Sequence, residues 1–291
     1  MRAYYLLFIL GFILTLNSCV KNNPDPSWIE VGEWTISANP NLGGDEGELN
    51  HNITEAWVYI NDSIIGVFEV PFKIPVLISG MSSIKIYPAI KNNGISATKK
   101  IYPFLNLYEI NAELIQNETL VINPTTQYKN DLTIWTEDFE DISIALEDDP
   151  NTSSANYQPA NDDLQSFNGN YYGKINLTSS DSLWVAYTTA QKYLPYGQEV
   201  YMEIDYKNDI NVVTGLLAIS QSGITNNPNI QLNAQQTTPA VWKKIYIDLR
   251  ELISNQASGS YFEQSFAAQL DLENGQTSGE ICIDNIKLIH F

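Results

Sequence analysis

Groups able to transfer protons, attack carbon or hold a metal are sparse in this chain of 291 residues. There are two histidines, His51 in a polar stretch and His290 beside the C-terminus, and two cysteines, Cys19 and Cys282. No HExxH, CxxC pair, GxSxG or phosphate-binding loop occurs. Carboxylates are abundant, and any two could meet as a glycosidase pair, but short, strand-rich domains leave little room for a deep catalytic cleft. A non-enzyme is therefore expected. Aromatic side chains suit another kind of chemistry, the stacking of a flat apolar face on a sugar ring. The candidates are Trp135, Trp184, Trp242, the Tyr193-Leu-Pro-Tyr196 loop and the Tyr171-Tyr172 pair. Trp184 and Trp242 alternate within apolar runs and are expected in the core. That leaves Tyr193, Tyr196, Tyr171 and Tyr172 as the ligand-binding candidates, although exposed aromatics serve protein interfaces equally well.

The elements that must position these residues read as strands. Thr54 to Ile60, Ile64 to Val70 and Ser83 to Tyr87 alternate apolar with polar residues and are separated by Asn61-Asp62-Ser63 and by Ser79-Gly80-Met81. Such runs between turn signals predict a half-buried antiparallel sandwich, and Pro71, Pro75, Pro88 and Pro103 mark strand ends or edges. A linker is expected near Asn123 to Asn130. Beyond it, strands are predicted at 172–177, 182–187, 199–206, 214–219, 242–249, 266–272 and 281–289, with one helical turn from Arg250 to Gln256. Strands at this spacing suggest a jelly roll. Cys282 falls inside the last strand and reads as a small buried hydrophobe.

Net charge is −19, with 34 acids against 15 Lys and Arg. Such a surface repels phosphate backbones, and no basic stripe offsets it, so nucleic acid is excluded as a partner. The acidic, glycine-rich stretch Asn41 to Glu48 reads as a loop.

The N-terminus carries one charge, Arg2, followed by an apolar run from Tyr4 to Leu16, shorter than the roughly 20 residues of a membrane span. Leu16-Asn17-Ser18-Cys19 resembles the lipobox of bacterial lipoproteins, apart from Asn17 where a small residue is usual. The resemblance implies that residues 1–18 are a signal peptide and that Cys19 is lipidated, with palmitate or similar chains. Acyl chains at about 0.8 kcal/mol per buried methylene would anchor the protein stably. Loss of Cys19 as a thiol leaves Cys282 without an internal disulfide partner. The tether, residues 19–27, reaches roughly 30 Å at full extension, so the first domain is expected close to the membrane.

Ala56 to Gly66 and Ile78 to Ile86 resemble the immunoglobulin-like and PEGA-like modules of exported bacterial proteins, which implies a small β-sandwich over residues 28–125. The PEGA tetrapeptide itself is missing. Residues 131–291 are similar to carbohydrate-binding-module and galactose-binding-like jelly rolls in Glu137 to Asp141, Gly173-Lys174, Tyr206 to Asn208, Trp242 to Leu249 and Ile283 to Leu288. That resemblance implies a structural calcium held by Asp138, Glu140 and Asp284, whose hard oxygens suit the ion. The alternative is a solvated acidic edge, since seven of the thirteen residues from Glu137 to Asp149 are acids. Asp62-Ser63-Ile64 and Asp181-Ser182-Leu183 resemble the O-glycosylation signal of Bacteroidota.

These readings together predict an all-β, lipid-anchored protein of the outer membrane, facing the cell surface rather than the periplasm. Its expected role is that of a non-catalytic accessory or scaffold subunit on a membrane-embedded protein partner serving uptake, secretion or barrel assembly. The alternative is a surface glycan-binding lipoprotein.

Overall fold

A computed structural model describes residues 24–161, 169–189 and 191–291. Cys19 and the signal segment lie outside the described residues. The architecture is all-β, as expected, and consists of two sandwiches. In the first, β1 (Ser27–Val31) runs antiparallel to β5 (Phe72–Val76) and parallel to β9 (Thr119–Ile122). The facing sheet is ordered β4 (Ser63–Glu69), β3 (Glu55–Ile60), β6 (Gly80–Lys91), with β7 (Lys99–Ile101) and β8 (Tyr108–Leu114) both pairing β6. Two short strands, β2 (Thr35–Ile36) and β10 (Thr125–Thr126), pair in parallel. Asn61 and Asp62 both adopt positive φ, 49° and 62°. That is the conformation a two-residue hairpin turn requires and that Asn and Asp tolerate. Period-two alternation then sends Ala56, Val58, Ile60, Ile84 and Ile86 into the core.

The second half is a jelly roll. One sheet is ordered β13 (Tyr157–Ala160), β14 (Tyr172–Thr178), β21 (Ser278–His290), β16 (Val200–Asn208), β19 (Lys243–Asp248), with β11 (Thr133–Glu137) on the C-terminal half of β21. The other is ordered β12 (Leu146–Asp148), β15 (Leu183–Thr188), β20 (Tyr261–Gln269), β17 (Val212–Ser220), β18 (Gly223–Leu232). Helix α1 (Arg250–Ser254) follows β19. Between the sheets Trp184 stacks on Phe266 at 6.1 Å among Ile175, Met202, Ile247 and Ile283, so the core assignment of Trp184 holds. Each such side chain contributes roughly 1.5–3 kcal/mol by leaving water.

The two sandwiches share a buried seam. Tyr102, Phe104 and Tyr128 of the first pack on Tyr201, Tyr246 and Ile289 of the outer jelly-roll face, with Tyr102 and Tyr201 edge to face at 5.4 Å. Tyr102 and Tyr128 donate their hydroxyls to Glu203 Oε1 at 2.6 and 3.0 Å. Lys100 reaches Glu199 and Asp248 at 2.9 and 3.0 Å. The segment expected as a linker is thus part of the seam: Tyr128 is buried, and β10 lies within the first sandwich. β19 ends the jelly-roll sheet, and the first sandwich caps its open edge. The Asn93 N–H donates to Tyr246 O and Asn52 Nδ2 to Lys244 O, both at 2.9 Å, which satisfies edge groups that would otherwise recruit another chain.

Candidate binding cleft at the seam

Register decides what the outer face of the β16–β19 sheet presents. Ile245, Ile247 and Leu249 point into the core, so Trp242, Lys244 and Tyr246 share the opposite face. The first sandwich covers Tyr246 and Lys244, and its cover stops short of Trp242, which is half-buried. Here a cleft of about 540 Å³ opens between the edge of β19 and the segments around residues 50–52 and 91–94. Trp242 meets the buried Tyr172 edge to face, ring centroids 5.7 Å apart at 88°, which fixes the indole plane. Gly94, at φ +69°, brings its turn so close that a Cβ would stand 3.0 Å from Ile245 Cδ1.

The polar groups of the cleft are tied down from behind. Asp205 Oδ2 accepts from Asn50 Nδ2 at 2.7 Å, from Asn285 Nδ2 at 3.0 Å and from Lys244 Nζ at 3.3 Å. Asn50 Oδ1, Asp205 Oδ1 and Asp284 Oδ2 are buried with no hydrogen-bond partner among the described residues. Asp205 and Asp284 stand directly opposite on β16 and β21. Burial and the neighbouring acids Asp205, Asp138 and Glu140 push the Asp284 carboxyl up to about 8, against the backbone N–H of Asn285. Burial holds His51 below its ordinary value, and its Nδ1 accepts from the Ile53 N–H at 3.3 Å. His51 is therefore a neutral, engaged imidazole. Aromatic rings, side-chain amides and ammonium groups line this open cleft.

The residues singled out from sequence are placed differently. Tyr193 is exposed with its ring 3.9 Å from that of Tyr261, and Tyr196 is exposed with its hydroxyl donated to Ala257 O. Neither lines the cleft. Tyr171 is exposed, whereas Tyr172 is fully buried and meets the cleft residue Trp242. Trp242, expected in the core, is half-buried and lines the cleft together with Tyr206 and Tyr246; the correction follows from strand parity. Each of the three acids expected to hold calcium accepts backbone N–H groups, Asp284 from Asn285 at 2.8 Å. Glu140 Oε1 accepts the N–H groups of Asn170 and Tyr171 at 2.6 and 2.7 Å, and Asp138 Oδ1 accepts from the N–H of Glu140 at 3.1 Å. Among the described residues no three His, Cys, Asp or Glu side chains are close enough to share a metal ion. Cys282 is buried with no disulfide partner among the described residues, its thiol pushed up to about 12 by burial.

No family model matches the chain, and no curated protein matches it. Among solved structures it is similar to the enzymatically active domain of bacteriophage CBA120 tailspike protein 4, at 10% identity and TM-score 0.36 over 56% of this chain; the match spans 20% of the tailspike chain. It is also similar to the family 11 carbohydrate-binding module of a cellulosomal cellulase of Clostridium thermocellum, at 14% identity and TM-score 0.35 over 55% of this chain and 95% of that one. A third likeness is to a carbohydrate-binding module of the β-sandwich superfamily, at 13% identity and TM-score 0.39 over 91% and 98% of the two chains. The assignment of a double β-sandwich rests on the strand order and register of the chain itself.

Proposed function

We propose that this protein is a non-catalytic carbohydrate-binding protein, held at an outer membrane by lipid on Cys19, and that a glycan lies in the seam cleft with one ring stacked on Trp242. The composition of the cleft supports this: an indole braced by Tyr172, amides at Asn50 and Asn52, and no Asp or Glu in the lining. A glycosidase would need two carboxyl groups flanking the scissile bond. The protein is expected to bind at least one polysaccharide on a glycan array, and Trp242→Ala to weaken that binding about tenfold with little change in melting temperature. An array without a hit, or a hit indifferent to Trp242→Ala, would dismiss the cleft as the glycan site.

A second reading, the accessory subunit docked on a membrane-embedded partner, is favoured by one end of the first sandwich. Ser27 pairs with Val76 and its hydroxyl donates to Ile78 O at 2.9 Å, so the chain enters at this end. Leu77, Met81 and Ile115 stand around it at 68%, 74% and 45% exposure, and Gly80 pairs with Leu114 to bring the last two together. The combined substitution Leu77→Asp and Met81→Asp is expected to abolish co-purification with an envelope partner while leaving glycan binding intact. Unchanged co-purification would remove this reading.

A further inference from the structure

Acids outnumber Lys and Arg by 34 to 15 in the whole chain, yet the lining of the cleft includes Lys91, Lys243 and Lys244 and no carboxylate. Beneath the floor the charges balance: buried Lys244 lies 3.3 Å from Asp205 and 3.7 Å from Glu203, and buried Lys287 shares that cluster. The mouth is different. Lys91 is only loosely engaged, 3.5 Å from the exposed Glu69 and 3.9 Å from Glu55, whose nearer partner is Lys99 at 2.6 Å. Lys243 is exposed and has no ion-pair partner among the described residues. The neighbouring hollow beside Lys207 offers a contrast, because Glu280 stands in its wall at 3.3 Å from Lys207 and 2.7 Å from Lys174. On a surface that otherwise repels anions, the cleft lining beside Trp242 includes one lysine, Lys243, without a carboxylate partner among the described residues, and a second, Lys91, held only by the longer pairs.

We infer that the sugar received at Trp242 is an anionic one, a ring bearing carboxylate or sulfate whose charge is met by Lys243 and Lys91. This deepens the glycan reading and rests on it. Lysine acts as a point charge and accepts either anion, so the two sources separate only by direct comparison.

The full chain is to be titrated with polygalacturonate and its carboxyl-reduced form, and with dextran sulfate and dextran, at low and high ionic strength. At least one charged polymer is expected to bind roughly tenfold more tightly than its neutral counterpart, with the preference reduced by salt. The tighter of the two charged polymers identifies the anion. Lys243→Met is expected to cost about threefold and Lys243→Glu about tenfold on the charged polymer alone, with melting unchanged because the side chain is exposed. Equal, Trp242-dependent binding of charged and neutral polymers would overturn the anionic preference and keep the glycan site. Binding of charged polymers that ignores Trp242→Ala and Lys243→Glu would overturn both, whereas a Trp242-dependent array hit to a neutral polysaccharide with binding of none of the four would overturn the anionic preference alone.

Discussion

Glu203→Gln is expected to destabilise the protein by about 3–5 kcal/mol, the largest effect of any single surface-conserving substitution in the seam. Glu203 is fully buried, and its Oε1 receives Tyr102 and Tyr128 while Oε2 lies 3.7 Å from Lys244. Burial alone would raise its carboxyl, but Lys287, Lys244 and the two tyrosine hydroxyls outweigh it and hold the group below the ordinary value. Glutamine preserves an acceptor for the tyrosines and removes the charge. Lys287, buried with its ammonium 3.2 Å from Glu48 O and 4.9 Å above the Tyr128 ring, then loses the anion that compensates it. For a chain of this size the loss corresponds to a fall of roughly 10 °C in melting temperature. Because the damage is an orphaned cation, Glu203→Gln combined with Lys287→Met should recover part of it, and a double-mutant cycle by chemical denaturation measures how much. A Glu203→Gln variant within about 1 kcal/mol of wild type would show that the pair behaves as a solvated one.

Asp284→Asn is expected to change the pH dependence of stability more than any other substitution in the jelly roll. In the folded protein burial and the opposed Asp205 keep Asp284 protonated up to about 8, whereas an unfolded aspartate releases its proton near about 4. The folded state therefore binds the extra proton between those values. Stability from this group is fully present below about pH 4 and is lost as pH rises towards 8, at about 1.4 kcal/mol per pH unit. Asparagine mimics the protonated acid, can still accept from the N–H of Asn285 and does not ionise. The variant should match wild type near pH 4 and exceed it by about 5–6 kcal/mol above pH 8. Denaturation curves at pH 5 and pH 8 decide it: parallel loss in both proteins would mean that Asp284 is ionised throughout.

What the sequence disclosed, and what it hid, follows from parity and from the partner face. The strands with a clean apolar row were legible, and so was the helical turn after Leu249. β18 was not, because Asn226-Asn227-Pro228-Asn229 reads as a turn. The proline is tolerated there because β18 is an edge strand, with a register shift between Thr214 and Gly215 opposite it. Trp242 has apolar company along the chain, yet counting by twos from Tyr246 and Lys244 sets it on the outer face, opposite Ile245 and Ile247. The seam left no local signal at all. Glu203, Asp205, Lys244 and Lys287 look like the solvated row of half-buried strands, and only the approach of a distant segment, Tyr102 to Tyr128, turns that row into an interior. The acids expected to hold calcium show the converse: acids that match a pattern along the chain accept backbone N–H groups, Glu140 from Asn170 and Tyr171.

The capped edge of β19 bears on how this protein can be divided. The cleft has one wall from each sandwich, Asn52 and Asn93 finish hydrogen bonds that β19 cannot finish alone, and Tyr102 and Tyr128 serve a carboxylate of the other half. The site is accordingly indivisible. A jelly roll excised and grafted elsewhere would take Trp242 along but leave the cleft behind, its bare strand edge and stranded charges opening to water. The two sandwiches look like interchangeable parts, yet the shared seam makes them a matched pair.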